Sequence, residues 1–334
     1  MSVNEEAARS SIPGAQAPHS WGRTLAIVAI GAVLVVATFA GLDWLGTDYA
    51  YLAAYTVLQY VVLATAWNIL GGYAGYVNFG SAGFFALGVY TSVVIYKTLQ
   101  LPILLTFPFA AAVAGLVGLG TGYLTLRLRG VYFSIATLAL AVVLHTLVVN
   151  WDFVGGSRGV YVLRPQDVPF FGSYARYLFA VMLGLAIVSV LIARFVEHSW
   201  LGRGLAALRD DETAAECSGI PALRLKLIAT VLSGAMMGMA GAPFPYFITY
   251  VDPKTAFGLD IAVNTIAMPL IGGTTTWVGP VIGALLLGTL QQVSTVTISS
   301  ALNLMIVGVL LVVFITVAPN GIVGLLKGWR ERRR

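Results

Sequence analysis

Leu25-Ala26-Ile27-Val28-Ala29-Ile30-Gly31-Ala32-Val33-Leu34-Val35-Val36 is apolar on every side. Lipid offers the backbone no hydrogen bonds, so only helices and closed barrels cross it. A barrel strand alternates apolar and polar positions over ~10 residues, and this stretch does not alternate. The reading is therefore an all-α, polytopic transmembrane helical bundle.

The rest of the chain agrees. Of 334 residues, 58% are hydrophobic and only 10% charged, and the mean hydropathy is +0.88. A soluble domain carries about a quarter charged residues. A span takes ~20 residues at ~1.5 Å each. Runs of that kind fall at 24–45, 49–70, 79–97, 102–126, 131–149, 175–196, 225–248, 256–271, 277–297 and 300–318, about ten in all. The run at 256–271 is short, and the loops at 71–78 and 272–276 are open to a re-entrant reading.

Basic residues orient the bundle. With ten spans and both termini cytoplasmic, fourteen of the nineteen Lys and Arg lie inside: Arg9, Arg23, Arg127, Arg129, Arg194, Arg203, Arg209, Arg224, Lys226, Lys327, Arg330, Arg332, Arg333 and Arg334. Lys97, Arg158, Arg164, Arg176 and Lys254 lie outside. This is the positive-inside bias. The net charge of +5 then reads as topology and lipid headgroups, not nucleic acid. The layout is a polar cytoplasmic N-terminus at 1–23, expected to be disordered, a membrane domain at 24–318 and a basic cytoplasmic tail at 319–334. The first apolar run is about twice the length of a signal-peptide core and reads as a retained span. Cys217 is the single cysteine, which excludes an intramolecular disulfide and a Cys-based metal site.

Glycine punctuates two regions. Ile69-Leu70-Gly71-Gly72 through Gly88 resembles Leu270-Ile271-Gly272-Gly273 through Gly288 at an offset near 200, which suggests an internal repeat. Paired glycine-broken segments point to a transport pathway. Its candidate residues are Asn68, Gly71, Gly72, Gly75, Asn78, Ser81, Gly272 and Gly273. Small residues four apart (Gly71/Gly75, Gly118/Gly122, Gly234/Gly238, Gly279/Gly283) suit close helix packing in lipid. Asn68, His145, Asn264, Gln291 and Gln292 are the polar residues within spans, with interhelical hydrogen bonds or packing as their plain role. By these boundaries no charged residue lies near a span centre, which argues against an ion-coupled carrier.

The longest polar interruption is 197–224. From Leu205 to Ser218 it reads as one short amphipathic helix, with Leu201, Leu205, Leu208 and Ala215 on one face. Gly219 and Pro221 stop it. Such a helix is either a solvated linker or a docking element through which a partner delivers mechanical work. No Gly-x-x-x-x-Gly-Lys-Ser/Thr is present, so ATP hydrolysis is not expected on this chain. Asp210-Asp211-Glu212 lacks the second acidic cluster that an intramembrane Mg²⁺-diphosphate enzyme needs. No metal or cofactor is expected.

Gly202-Arg203 … Arg209-Asp210-Asp211-Glu212-Thr213-Ala214-Ala215-Glu216 … Gly219-Ile220 resembles the coupling loop of the branched-chain amino-acid ABC transporter permeases of the LivM type. Residues 67–91, Arg129–Ala139, Gly155-Gly156-Ser157-Arg158-Gly159, Ile271-Gly272-Gly273 … Trp277-Val278-Gly279-Pro280 and Pro319-Asn320-Gly321 are similar to further segments of that family, in its order. The resemblance covers roughly 50–325. It implies a permease subunit of a bacterial inner-membrane importer for leucine, isoleucine or valine. Arg203, Arg209, Asp210, Asp211, Glu212, Ala214, Ala215 and Gly219 would then couple to the ATPase. A LivH-like second permease, two ATP-binding subunits and an extracytoplasmic substrate-binding protein would complete it. Thr274-Thr275-Thr276 stands where the family has a Gly-Ser-like turn, and urea or short-amide permeases share the architecture. A channel or ion-coupled carrier is the alternative of another class. The outer loop 150–174 is either a receiver for the binding protein or a plain connection.

Overall fold

The computed structural model describes residues 47–125, 128, 130–163, 172–297, 305, 308–309, 311–313, 316 and 321–325. Two compact units divide the chain, Met1–Ala50 and Tyr51–Arg334, and the packing below belongs to the second. The helices are α1 (Asp48–Gly71), α2 (Ser81–Thr98), α3 (Ile103–Thr125), α4 (Val131–Val149), α5 (Tyr174–His198), α6 (Trp200–Asp210), α7 (Glu212–Cys217), α8 (Ala222–Gly241), α9 (Phe244–Ile248), α10 (Pro253–Ala256), α11 (Leu259–Gly272) and α12 (Val278–Thr297). The fold is that of an all-α, polytopic membrane protein. Among the described residues, its one strand pairing is antiparallel, with β1 (Val160–Tyr161) against β2 (Tyr250–Val251).

Among the described residues, seven stretches are long and apolar enough to cross a membrane. The expected span at 24–45 and most of that at 300–318 lie outside the described residues. The run at 79–97 forms α2, which is not among the seven. It carries Ser81, Tyr90, Thr91, Ser92 and Lys97, yet twelve of its eighteen residues are buried. A helix shielded from lipid by its neighbours can carry polar side chains that a lipid-facing helix cannot. The expected span at 225–248 falls on one membrane-crossing stretch, Ala222–Ile248, which is built of two helices. Pro243 and Pro245 have no N–H to continue the helical ladder, so α8 ends and the short α9 begins.

Glycine decides how closely the helices approach. On α3, Gly118 and Gly122 face Thr230 of α8, where a Cβ on Gly122 would lie 3.2 Å from Thr230 Cγ2. A Cβ on Gly238 of α8 would lie 2.5 Å from Ala114 Cβ and 2.7 Å from the Ala110 carbonyl oxygen. Beside α3, α2 crosses α8 so tightly that a Cβ on Gly88 would overlap the Gly238 carbonyl. Gly272, Gly279 and Gly283 bring α11 and α12 together in the same way. Lipid supplies no hydrophobic drive between helices, so backbone contact of this kind holds the bundle. The pair Gly71/Gly75 does not pack helices: Gly75 sits in a loop at φ +75°.

The bundle has two distinct ends. At one, Lys97 Nζ donates to the Phe153 carbonyl at 2.7 Å, the Leu163 N–H donates to Tyr96 Oη at 3.3 Å, and β1 pairs with β2. At the other, loop 72–80, α6, α7, the start of α8 and loop 273–277 converge.

Candidate functional site

The converging end is built on two glycine-broken loops. After α1 the Gly72 and Tyr73 N–H groups both donate to the Asn68 carbonyl at 2.9 Å, which closes the helix. Trp67 Nε1 then donates to the Asn78 carbonyl at 2.9 Å, and Asn78 Oδ1 accepts from the Gly80 N–H at 2.8 Å. Asn78 therefore makes the turn that starts α2. The outer side of the loop rests on α4: Ser134 Oγ donates to the Val77 carbonyl at 2.9 Å, and the Phe79 N–H donates to Thr137 Oγ1 at 3.1 Å. The second loop leaves α11 at Gly273, whose φ of +114° suits only glycine. The loops touch, since a Cβ on Gly72 would lie 2.6 Å from the Thr274 carbonyl oxygen. Thus Asn68, Gly71, Gly72, Gly75, Asn78, Ser81, Gly272 and Gly273 are all brought to one end of the bundle.

The polar loop 197–224 closes over them. Ser199 lies at the corner between α5 and α6 in extended conformation, and its Oγ accepts from the Gly202 N–H at 3.4 Å as N-cap. The single helix expected over Leu205–Ser218 is corrected: it breaks at Asp211. That residue is extended, and its Oδ1 accepts from the Ala214 N–H at 3.0 Å to cap α7. An aspartate that satisfies the backbone in this way favours a new helix start over continuation. Leu201, Leu205, Leu208 and Ala215 are buried beneath the pair of helices. Arg203, Asp210, Asp211, Ala214 and Gly219 are exposed, as are Glu216 and the Cys217 thiol.

Two of the coupling candidates reach loop 72–80, Arg209 while itself exposed and Glu212 while half-buried. Arg209 Nη1 donates to the Gly72 carbonyl at 3.1 Å, and its Cγ would lie 3.0 Å from a Cβ on Gly75. Glu212 grips the loop harder: its Oε2 accepts from Tyr76 Oη at 2.7 Å and its Oε1 from Lys226 Nζ at 2.6 Å. Lys226 is 2% exposed, sits in the first turns of α8, and also donates to Tyr76 Oη at 2.5 Å. Its Nζ lies 4.5 Å from the Tyr76 ring centroid, and that ring meets Phe133 edge-on at 5.1 Å. A second carboxylate makes a matching grip. Glu197 Oε2 accepts from Tyr73 Oη at 3.2 Å and from the Trp277 N–H at 2.5 Å, so it ties both loops to the end of α5. The Arg194 guanidinium covers the Trp277 ring at 5.9 Å. Burial, and then the Glu197 carboxylate, push the Tyr73 phenol well up, which keeps it a neutral donor.

Lys226, Glu197, Tyr73 and Tyr76 escape a reading of the sequence. Charge counting assigns Lys226 to the cytoplasmic segment, and nothing local pairs it with Glu212. The visible signal is a lysine within the apolar run Leu225–Val231. Deeper in the bundle, Gln291 Nε2 donates to Asn264 Oδ1 at 2.8 Å and Asn264 Nδ2 to Tyr60 Oη at 3.2 Å, which links α12, α11 and α1. His145 packs edge-on against Phe257 at 5.3 Å. A small cavity of about 100 Å³ lies between Thr56, Gln59, Tyr60, Phe85, Phe244 and Phe247.

A family described as the permease component of branched-chain amino acid transport systems matches residues 49–315. The chain is 27% identical to the high-affinity branched-chain amino acid transport system permease protein LivM of Escherichia coli, over 68% of this chain and 59% of that protein. It therefore spans about 59% of the length of the LivM relatives it matches. It is 24% identical to the probable branched-chain amino acid transport permease protein LivH of Methanocaldococcus jannaschii, over 77% of this chain and 85% of that protein. The L-arabinose ABC transporter permease protein AraH of Azospirillum brasilense is 28% identical over 53% of this chain and 52% of that protein. No solved structure matches the chain significantly.

Proposed function

Because the chain belongs to the family of permease components of branched-chain amino acid transport systems, we propose that it is the membrane-spanning subunit of an ATP-driven importer for leucine, isoleucine and valine. ATP is hydrolysed on two partner subunits. A LivH-like second permease completes the pathway, and an extracytoplasmic binding protein delivers the substrate. The chain resides in a bacterial inner membrane with about ten spans and both termini in the cytoplasm, residues 1–23 and 319–334 flanking the membrane domain at 24–318. The reading rests on one observation above the rest: α6 and α7 form a capped pair that rests on loop 72–80 and presents Asp210, Asp211, Ala214 and Glu216 outward, while Glu197 at the end of α5 holds loop 273–277. A rigid helix pair with an exposed polar face suits a moving partner, because side-chain order is already set before docking.

Cys217 reports on docking without mutation. As the single cysteine of the chain, exposed at the end of α7, it is expected to react with a maleimide reagent in the isolated permease pair. In the complex with the ATP-binding subunits, labelling is expected to slow at least tenfold. Equal labelling rates in the two samples would place the ATPase elsewhere. Substrate identity is read by uptake into proteoliposomes supplied with labelled leucine, urea or L-arabinose and ATP. Leucine uptake is expected; transport of either alternative without leucine would overturn the substrate assignment.

A further inference from the structure

We infer that Glu212, with Lys226 and Tyr76, and Glu197, with Tyr73 and the Trp277 amide, are positioning residues that transmit movement of α6–α7 and the adjoining end of α5 to both glycine-broken loops. The inference rests on the docking role proposed for α6–α7. It goes further by naming which atoms carry the motion and where it arrives.

Three features of the geometry support it. First, the contacts converge. Glu197 at the end of α5, Arg209 at the end of α6 and Glu212 at the start of α7 all reach the loop of residues 72–76. A docking element that only needed an anchor would use its own apolar underside, and Leu201, Leu205, Leu208 and Ala215 already provide one. Second, the contacts are stiff. Lys226 is buried and Glu212 is 18% exposed, so the ion pair and the Tyr76 hydroxyl are shielded from water. Charge-assisted hydrogen bonds in such surroundings are short and directional. Third, the linked residues lie beside glycines in backbone conformations that other residues avoid. Tyr73 and Tyr76 bracket Gly75 at φ +75°, and Glu197 holds Trp277 four residues beyond Gly273 at φ +114°. Each loop joins two membrane helices, α1 to α2 and α11 to α12. A shift of α6–α7 therefore acts on the α1–α2 junction directly and, through Glu197 at the adjoining end of α5, on the α11–α12 junction.

The rival explanation is static bracing, and the two differ in what a variant does to energy transfer. The neutral pair Glu212→Gln with Lys226→Met removes both charges while keeping similar side-chain volume. Tyr76→Phe removes only the hydroxyl and keeps the ring on Phe133, which guards against a folding failure in the double variant. Each is assembled with the second permease and the ATP-binding subunits, and three quantities are read: Cys217 protection, ATP hydrolysis, and labelled leucine moved per ATP. The expected result is intact protection and hydrolysis, with leucine per ATP falling roughly tenfold, inside the usual 5–150-fold range of coupling between sites. Glu197→Gln is expected to act in the same direction. An unchanged leucine-to-ATP ratio in Tyr76→Phe and the double variant, with protection intact, overturns the transmission role and leaves docking standing. A loss of thermal stability alone, with that ratio unchanged, overturns it equally. Absence of Cys217 protection in the unmodified complex overturns docking and transmission together.

Discussion

Gly88→Ala is expected to destabilise the bundle by about 3 kcal/mol, the upper end of the range for overpacking a filled interior. The added Cβ overlaps the Gly238 carbonyl, and the Gly238 carbonyl carbon and Cα lie at 2.6 and 2.8 Å. All three are backbone atoms of the facing helix, so no rotamer change relieves the clash and α2 must move off α8. The displacement reaches further, because Gly241 meets the same face so closely that a Cβ there would overlap the Phe85 carbonyl. The control is Gly120→Ala on α3, which meets nothing within 4 Å. There the only effect is the lower backbone entropy of alanine in the unfolded chain, a gain of about 0.5–1 kcal/mol. Thermal midpoints of the two variants in the same detergent distinguish the two effects. Equal shifts would mean that helix propensity, not interhelical contact, governs the glycines of this bundle.

Lys226→Met carries the second large effect. The lysine is enclosed by α7, loop 72–80 and α8, and its ammonium meets a carboxylate, a phenol oxygen and an aromatic face. Removing it leaves the largely buried Glu212 carboxylate with the Tyr76 hydroxyl but without its cation. Breaking one side of a buried pair costs about 3–5 kcal/mol, whereas replacing both sides with neutral groups of similar volume is often close to neutral. Lys226→Met is therefore expected to lower thermal stability strongly, and adding Glu212→Gln to recover most of the loss. A double variant as unstable as the single one would show that the lysine stem, not the charge pair, holds α7 to α8.

Much of the architecture is legible in single segments. Eight of the expected spans reappear as helices within a few residues of their boundaries, because a run that is apolar on every side has only one regular structure open to it in lipid. The glycine-broken segments and the stop after α7 depend on neighbours in sequence and are legible there as well. The helix break at Asp211 is equally local, yet the sequence hides it. An amphipathic pattern runs straight through that position, and the competing side-chain cap leaves no trace in the periodicity.

What composition and order determined is the solvent of this protein, its helical class, and the places where its helices stop. Those follow from hydration of the backbone and from the residues immediately beside each break. What only the tertiary structure decided is which breaks meet. Glu212 finds Tyr76 across 136 positions, Glu197 finds Tyr73 across 124, and Lys226 finds Tyr76 across 150. Pairing at such separations depends on how closely α2, α3 and α8 can approach, which is set by small residues meeting on different helices, Gly88 against Gly238 and Gly238 against Ala114. One helix's sequence states that a position is small; only the packed bundle states what fills the space.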